Sequence, residues 1–279
     1  MATGFAAARG KRRLRRALWA AMAGALLLPA SVWAHAFWLV PFAPAPAPGE
    51  SVALDLRIGP RWPGASTPRL PDLVADFRVD DAIGRREVAG RTNGRPVGHF
   101  EARDAGAAIV SMQTNASTIT LPGPEFQAYL HEEGLDAALQ LRSDLSMTDA
   151  PAREDFTRAA KTLVFVGGAS RGYDRVLGLP FELVPLTDPV AYRPGQPFRV
   201  KLLQAGQPAG QTRVAALPKD MPEGIVEART TPDGEAVLTL PHGGLWTLYA
   251  VHIEPAPRPP ADWNSIWASL TFAVPGAPR

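Results

Sequence analysis

Ser51–Ile58 reads SVALDLRI, with Val52, Leu54, Leu56 and Ile58 on alternate positions. Strict alternation over eight residues is the period of a strand with one buried face. The same character recurs on both sides. Upstream, Phe37-Trp38-Leu39-Val40 is a short apolar run, closed by the Pro/Ala stretch 41–48 and a Pro48-Gly49 turn. Downstream, Ala107–Met112, Ser117–Leu121, Leu163–Val166 and Leu179–Val184 are further strands. Gly and Pro number 25 and 29 in 279 residues, too many punctuating residues for a helical bundle and suited to short strands joined by turns.

One stretch breaks the pattern. Glu125–Arg142 places Phe126, Tyr129 and Leu130, then Leu135, Ala138 and Leu139, at helical spacing. Ala152–Lys161 continues that character, with Phe156 and Ala160 four apart and Asp149 and Pro151 placed to cap and start a helix. Beyond Thr187-Asp188-Pro189 the pattern returns to strands at 198–203, 212–217, 236–240 and 245–253. Turns at Pro194-Gly195, Gly206-Gln207-Pro208 and Thr231-Pro232-Asp233-Gly234 separate them, the last with the Asp-Gly pair favoured in hairpins. Leu270–Val274 closes the chain as an edge or pairing strand. These patterns predict a mainly β fold of two β-sandwich modules, immunoglobulin- or transthyretin-like, with a short helical insertion in the first. The expected units are a leader over 1–34, a β-rich unit over 35–187 and a sandwich over 188–279.

The leader reads as a signal peptide. Arg9, Lys11, Arg12, Arg13, Arg15 and Arg16 precede an apolar run from Ala17 to Leu28, Pro29 breaks it, and Val32 and Ala34 fill the two positions a signal peptidase reads. The run is shorter than the roughly 20 residues of a membrane span, so the expectation is cleavage after Ala34, periplasmic export and no integral span afterwards. Removing these residues leaves 23 basic and 27 acidic side chains. The basic character therefore belongs to the leader, and a nucleic-acid partner has no support from charge.

Cysteine is absent, which excludes thiolate metal sites and thiol catalysis. There is no GxSxG elbow, P-loop or dinucleotide fingerprint, so the expectation is that the protein is not an enzyme. Glu132 and Glu133, being adjacent, make no catalytic pair, and with His131 they read as a solvated face. Asp72, Asp76, Asp80 and Asp81 suggest an acidic rim without calcium-loop spacing. His35 carries more chemistry. Cleavage after Ala34 makes it the N-terminal residue, where α-amino nitrogen and imidazole together chelate one ion, and a second histidine completes a set suited to Cu or Ni. His252, in the strand Tyr249–Ile253, is the candidate second ligand. His99, His131 and His242 sit in contexts expected to be exposed. Trp246, Trp263 and Trp267 are assigned to the core.

Four blocks of sequence carry a resemblance. Ala34-His35-Ala36-Phe37-Trp38-Leu39 is similar to an AH-x-FW-L start, and Phe126–Leu135 to an F-x-x-YL-x-EEGL block. Arg153–Leu163 resembles RE-x-(Y/F)-x-R-x-aKtL, and Asp262–Phe272 resembles DW-(E/N)-S-x-WASLTF. Together they resemble the periplasmic domain-of-unknown-function family 4198, with its NikM-like, nickel-uptake-associated members. Ala36 stands where family members often carry an acidic residue. The resemblance implies an exported, β-rich protein that binds or helps take up a transition metal, Ni or Cu, beside a transporter or receptor component. The alternative is a periplasmic scaffold that binds a protein partner and no metal.

Overall fold

The structure, a computed structural model, describes residues 36–276. The chain divides into two units, Met1–Trp33 and Ala34–Arg279, and the described residues all belong to the second. The expected leader and His35 lie outside the described residues.

The described chain is mainly β. Its first part holds β1 (Phe37–Pro41), β2 (Ser51–Ile58), β3 (Ala65–Thr67), β4 (Val74–Asp81), β5 (Gly84–Glu87), β6 (Gly98–Glu101), β7 (Gly106–Thr114) and β8 (Ser117–Leu121). Two helices follow, α1 (Gly123–Glu132) and α2 (Asp136–Asp144), and then β9 (Ala152–Val166) and β10 (Phe181–Pro185). The remainder is β11 (Pro197–Gln204), β12 (Gln207–Pro208), β13 (Arg213–Pro218), β14 (Val226–Arg229), β15 (Glu235–Thr239), β16 (Gly244–Pro255) and β17 (Trp263–Val274).

A nine-stranded central sheet runs β14-β13-β16-β17-β9-β7-β4-β5, with β8 also on β9. All its pairs are antiparallel except β9 with β17. One four-stranded sheet, β1-β2-β3 with β6 on β2, covers one face; another, β10-β11-β12 with β15 on β11, covers the opposite face. Alternate residues of the central strands therefore feed different cores. Ala160 and Val164 of β9 join Leu39, Val52, Leu54 and Leu56 in one, while Leu163 and Phe165 join Leu183, Phe198 and Val200 in the other. Each small sheet makes a sandwich with its part of the central sheet, and the helices are inserted between β8 and β9.

The sequence expectation of a helix over Ala152–Lys161 is corrected. This stretch begins β9, a 15-residue strand at the centre of the sheet. Its second half is buried on both faces, so alternation disappears into a continuous apolar run, as in strands covered on two sides. The four-residue spacing of Phe156 and Ala160 is equally two strand periods. Asp262–Val274 likewise belongs to a central strand, between β16 and β9. The Asp233-Gly234 turn joins strands of different sheets, β14 and β15, and makes no hairpin. A Cβ at Gly234, whose φ is +74°, would come within 2.6 Å of the Leu202 carbonyl oxygen on β11, so glycine permits the close crossing.

Residue 187 falls between β10 and β11, which pair, and β9 from before it pairs with β17 from after it. Lys161 of β9 also bonds Glu182 of β10 at 2.7 Å, both side chains 1% exposed. Glu182 accepts three more bonds, from the backbone N–H groups of Leu177, Gly178 and Leu179. The Glu182 carboxylate is thus satisfied at both oxygens and Lys161 bonds one of them, which makes the buried pair tolerable.

Candidate functional site

Glu154 and Arg158 of β9 point to the same face as Ala160, six and two residues before it along the strand. Ser265, Trp267 and Ser269 of β17, Tyr249 of β16 and Arg213 of β13 share that face, as the register and their mutual bonds require. Here the cover is α1 and α2. Gly123 starts α1 pressed on the Asp149 backbone, where a Cβ would lie 2.3 Å from the carbonyl, so the loop entering β9 closes tightly over the helix start. Tyr129 of α1 stacks on Trp267 at 6.1 Å, Trp267 stacks on Tyr249 at 6.2 Å, and Phe126 meets Trp263 at 5.9 Å. The tryptophans are buried, as expected: Trp246 in the core on the opposite face, and Trp263 and Trp267 beside a polar cluster.

Glu154 is completely buried. Its Oε1 accepts hydrogen bonds from the Tyr129 hydroxyl, at 3.3 Å, and from the Ser265 hydroxyl. Its Oε2 is buried with no partner among the described residues, and so are Arg158 Nε and Trp267 Nε1. Burial pushes the Glu154 carboxyl up to about 7, against the two hydroxyls and the Arg158 charge, which pull it down. Arg158 is held between the rings of Phe156 and Phe37, at 4.5 and 5.5 Å, and burial lowers its pKa to about 10. Beside this group Glu133 pairs with Arg213 at 3.0 Å, and Arg213 also bonds Glu227 and the Tyr249 oxygen. Burial raises Glu133 to about 7 against the pull of Arg213.

Glu133 therefore departs from the expected solvated face, which His131 and Glu132 do occupy. The expected acidic rim is also corrected: Asp76, Asp80 and Asp81 pair with Arg78, Arg85 and Arg86, and only Asp72 stands apart, exposed. His99 is exposed, on β6 rather than in a loop. His242 is half-buried, with Nδ1 2.7 Å from the Gly243 carbonyl and its ring 4.8 Å from that of Trp246.

His35 lies outside the described residues. Ala36 and Phe37 directly after it are buried. The Ala36 carbonyl accepts from Gly59 N–H, and the Phe37 carbonyl accepts from the Ser269 hydroxyl at 2.6 Å. This places the start of β1 on the face of the central sheet that carries Ser269, Trp267 and Glu154. His252 pairs across strands with Ile266 and shares the opposite face with Ala250. It opens onto a cleft of about 330 Å³ lined by Asp155, Thr157, Gln204, Glu254 and Asn264, with Nε2 3.5 Å from Glu254. Among the described residues, no group of three or more His, Asp or Glu side chains is placed to hold a metal ion.

The sequence places Tyr129 on an apolar helical face, Glu133 on a solvated one and Trp267 in the core, and gives Glu154, Arg158 and Ser265 no role. The signal that identifies Glu154 and Arg158 is two charges on one side of a run that becomes wholly apolar, which requires β9 to be read as a strand.

No curated protein matches the chain. Among solved structures, the D0-D1 domain of intimin is 14% identical, with 85% of this chain and 97% of that chain covered and a TM-score of 0.20, a likeness that carries no argument. The model of the domain of unknown function DUF4198 matches residues 32–254, and the chain belongs to that family.

Proposed function

We propose that the protein is an exported, non-catalytic binding protein for a transition-metal ion, Ni or Cu, held through His35 as the mature N-terminal residue. What carries this reading is the fixing of the chain directly behind that residue. Ala36 is 3% exposed, and the Ala36 and Phe37 carbonyls are both hydrogen-bonded. An N-terminal chelate uses the α-amino nitrogen and imidazole of one residue, and an anchored neighbour lowers the entropy lost when the ion orders it. His252, on the far face of the central sheet, is given no share in this ion. A NikM-like place beside a transporter or receptor component follows as part of the proposal.

The test is a competition titration with Cu²⁺ and Ni²⁺, comparing protein that begins at His35 with protein carrying one extra alanine ahead of it. The extension turns the amine into an amide and breaks the chelate, so affinity should fall by about 100-fold or more. Equal affinities would overturn the reading and favour the scaffold alternative.

A further inference from the structure

We infer that a cleft between the small sheet β1-β2-β3 and one end of the central sheet is a separate binding site, and that its ligand is a small organic acid with an apolar body. The inference is independent of the metal reading.

The outer face of the small sheet sets the site. β1 and β2 pair with Trp38 opposite Arg57 and Val40 opposite Asp55, so these four share the face turned away from Leu39, Leu54 and Leu56 in the core. The chain after β2 folds back over that face. Gly64, at φ +61°, lies so close to the Trp38 ring that a Cβ there would come within 2.8 Å of it, and Trp62 packs on Trp38 at 5.4 Å. Beside this cover a cleft of about 390 Å³ opens, with Val40, Pro41, Trp62, Pro63, Leu245 and Val274 among its walls. The volume and the apolar walls are those of a small-molecule site, in which a few polar groups fix the ligand.

Those polar groups define the ligand's chemistry. Trp62 is 5% exposed, and its indole N–H is buried with no acceptor among the described residues. A buried donor of this kind calls for an acceptor, supplied by a ligand or by water. Arg57, Lys219 and Asp55 line the same cleft. The Asp55 carboxylate is already engaged: Oδ1 accepts from the Ser66 hydroxyl at 2.7 Å, and Oδ2 pairs with Arg57 at 2.5 Å. Lys219 is exposed and makes no ion pair among the described residues. An ion pair between Arg61 and Glu223 joins the loop of Trp62 to the turn that follows Lys219. One unpaired cation beside apolar walls fits a monoanion, and the indole N–H gives its carboxylate a second, directional contact. Phe42, 66% exposed at the same cleft, offers a ring for the apolar body to cover.

The experiment follows the indole N–H resonances of the exported protein by NMR as phenylacetate, benzoate or isovalerate is added, up to about 10 mM, the affinity range open to ligands this small. Trp62→Phe assigns the Trp62 signal by its loss. That signal should shift and saturate with at least one acid. Uncharged phenylacetamide, and phenylacetate added to Lys219→Ala, should each bind about three- to fivefold more weakly, the worth of one part-exposed ion pair. Lys219 is exposed, so its variant keeps the test open even if Trp62→Phe folds poorly. No saturable shift at Trp62 with any of the three acids overturns the inference. Equal affinity for acid and amide, or unchanged affinity in Lys219→Ala, overturns it too, because the cleft then recognises no anion.

Discussion

Glu154 is a buried carboxyl on β9 that bonds the hydroxyls of Tyr129 and Ser265. Its type and its neighbours in sequence are plain, but only the strand assignment of β9 sets it beside Ser265, 111 residues away. Its protonation has a consequence for stability. The folded pKa of about 7 lies above the ordinary 4.5, so the native state binds the proton more tightly than the unfolded chain does. The contribution is fully present below pH 4.5 and is lost as pH rises through about 7. The metal-free protein should lose about 3 kcal/mol over that window from this group, and Glu154→Gln should flatten the slope. Urea denaturation at pH 5 and pH 8 measures both; an unchanged slope in the variant would contradict the assignment. Lys161 gives a second prediction at this scale. Lys161→Met leaves the buried Glu182 carboxylate without its cation and should cost about 3–5 kcal/mol, read as a lower urea midpoint at constant m-value; a cost below about 1 kcal/mol would contradict it.

Among elements, the half-exposed strands were the readable ones. β2 buries Val52, Leu54 and Leu56 against the central sheet, so its alternation survives in the sequence. β13, β15 and β16 were also found within a residue or two. By contrast, β9 is covered on both faces and loses its alternation after Phe156, while Phe156 and Ala160 mimic a helical turn. The short strands β3, β5, β6 and β14 carry few apolar residues and left no periodic signal. This difference in burial should appear in hydrogen exchange. Amides of β9, β16 and β17 should exchange slowest, near the rate of global unfolding, and those of β5 and β14 at the sheet edges much faster. Comparable protection in β5 and β17 would contradict the central placement of β17.

At the scale of the molecule, composition and turn spacing gave the mainly β sandwich class, whereas the sharing of one sheet was not written in any local pattern. The parallel pairing of β9 with β17 joins stretches roughly a hundred residues apart, and no short-range rule encodes such a partner. A fragment of residues 188–279 would lack β9 and β10, exposing one side of β17 and one side of β11 together. Such a fragment should show no cooperative thermal transition by circular dichroism, whereas the protein from His35 onward should unfold in a single one. A fragment that melts cooperatively would contradict the dependence of the C-terminal strands on β9 and β10. The candidate site belongs to this scale too, because α1, β9, β13, β16, β17 and the start of β1 each bring a part of it.

The most direct measurement is native mass spectrometry of the protein recovered from the periplasm after its own leader has directed export. The expected result is a mass beginning at His35 with one Ni or Cu ion, released on acidification as the donors take up protons. A mass beginning elsewhere, or a protein that stays metal-free after incubation with both ions, would contradict the central claim.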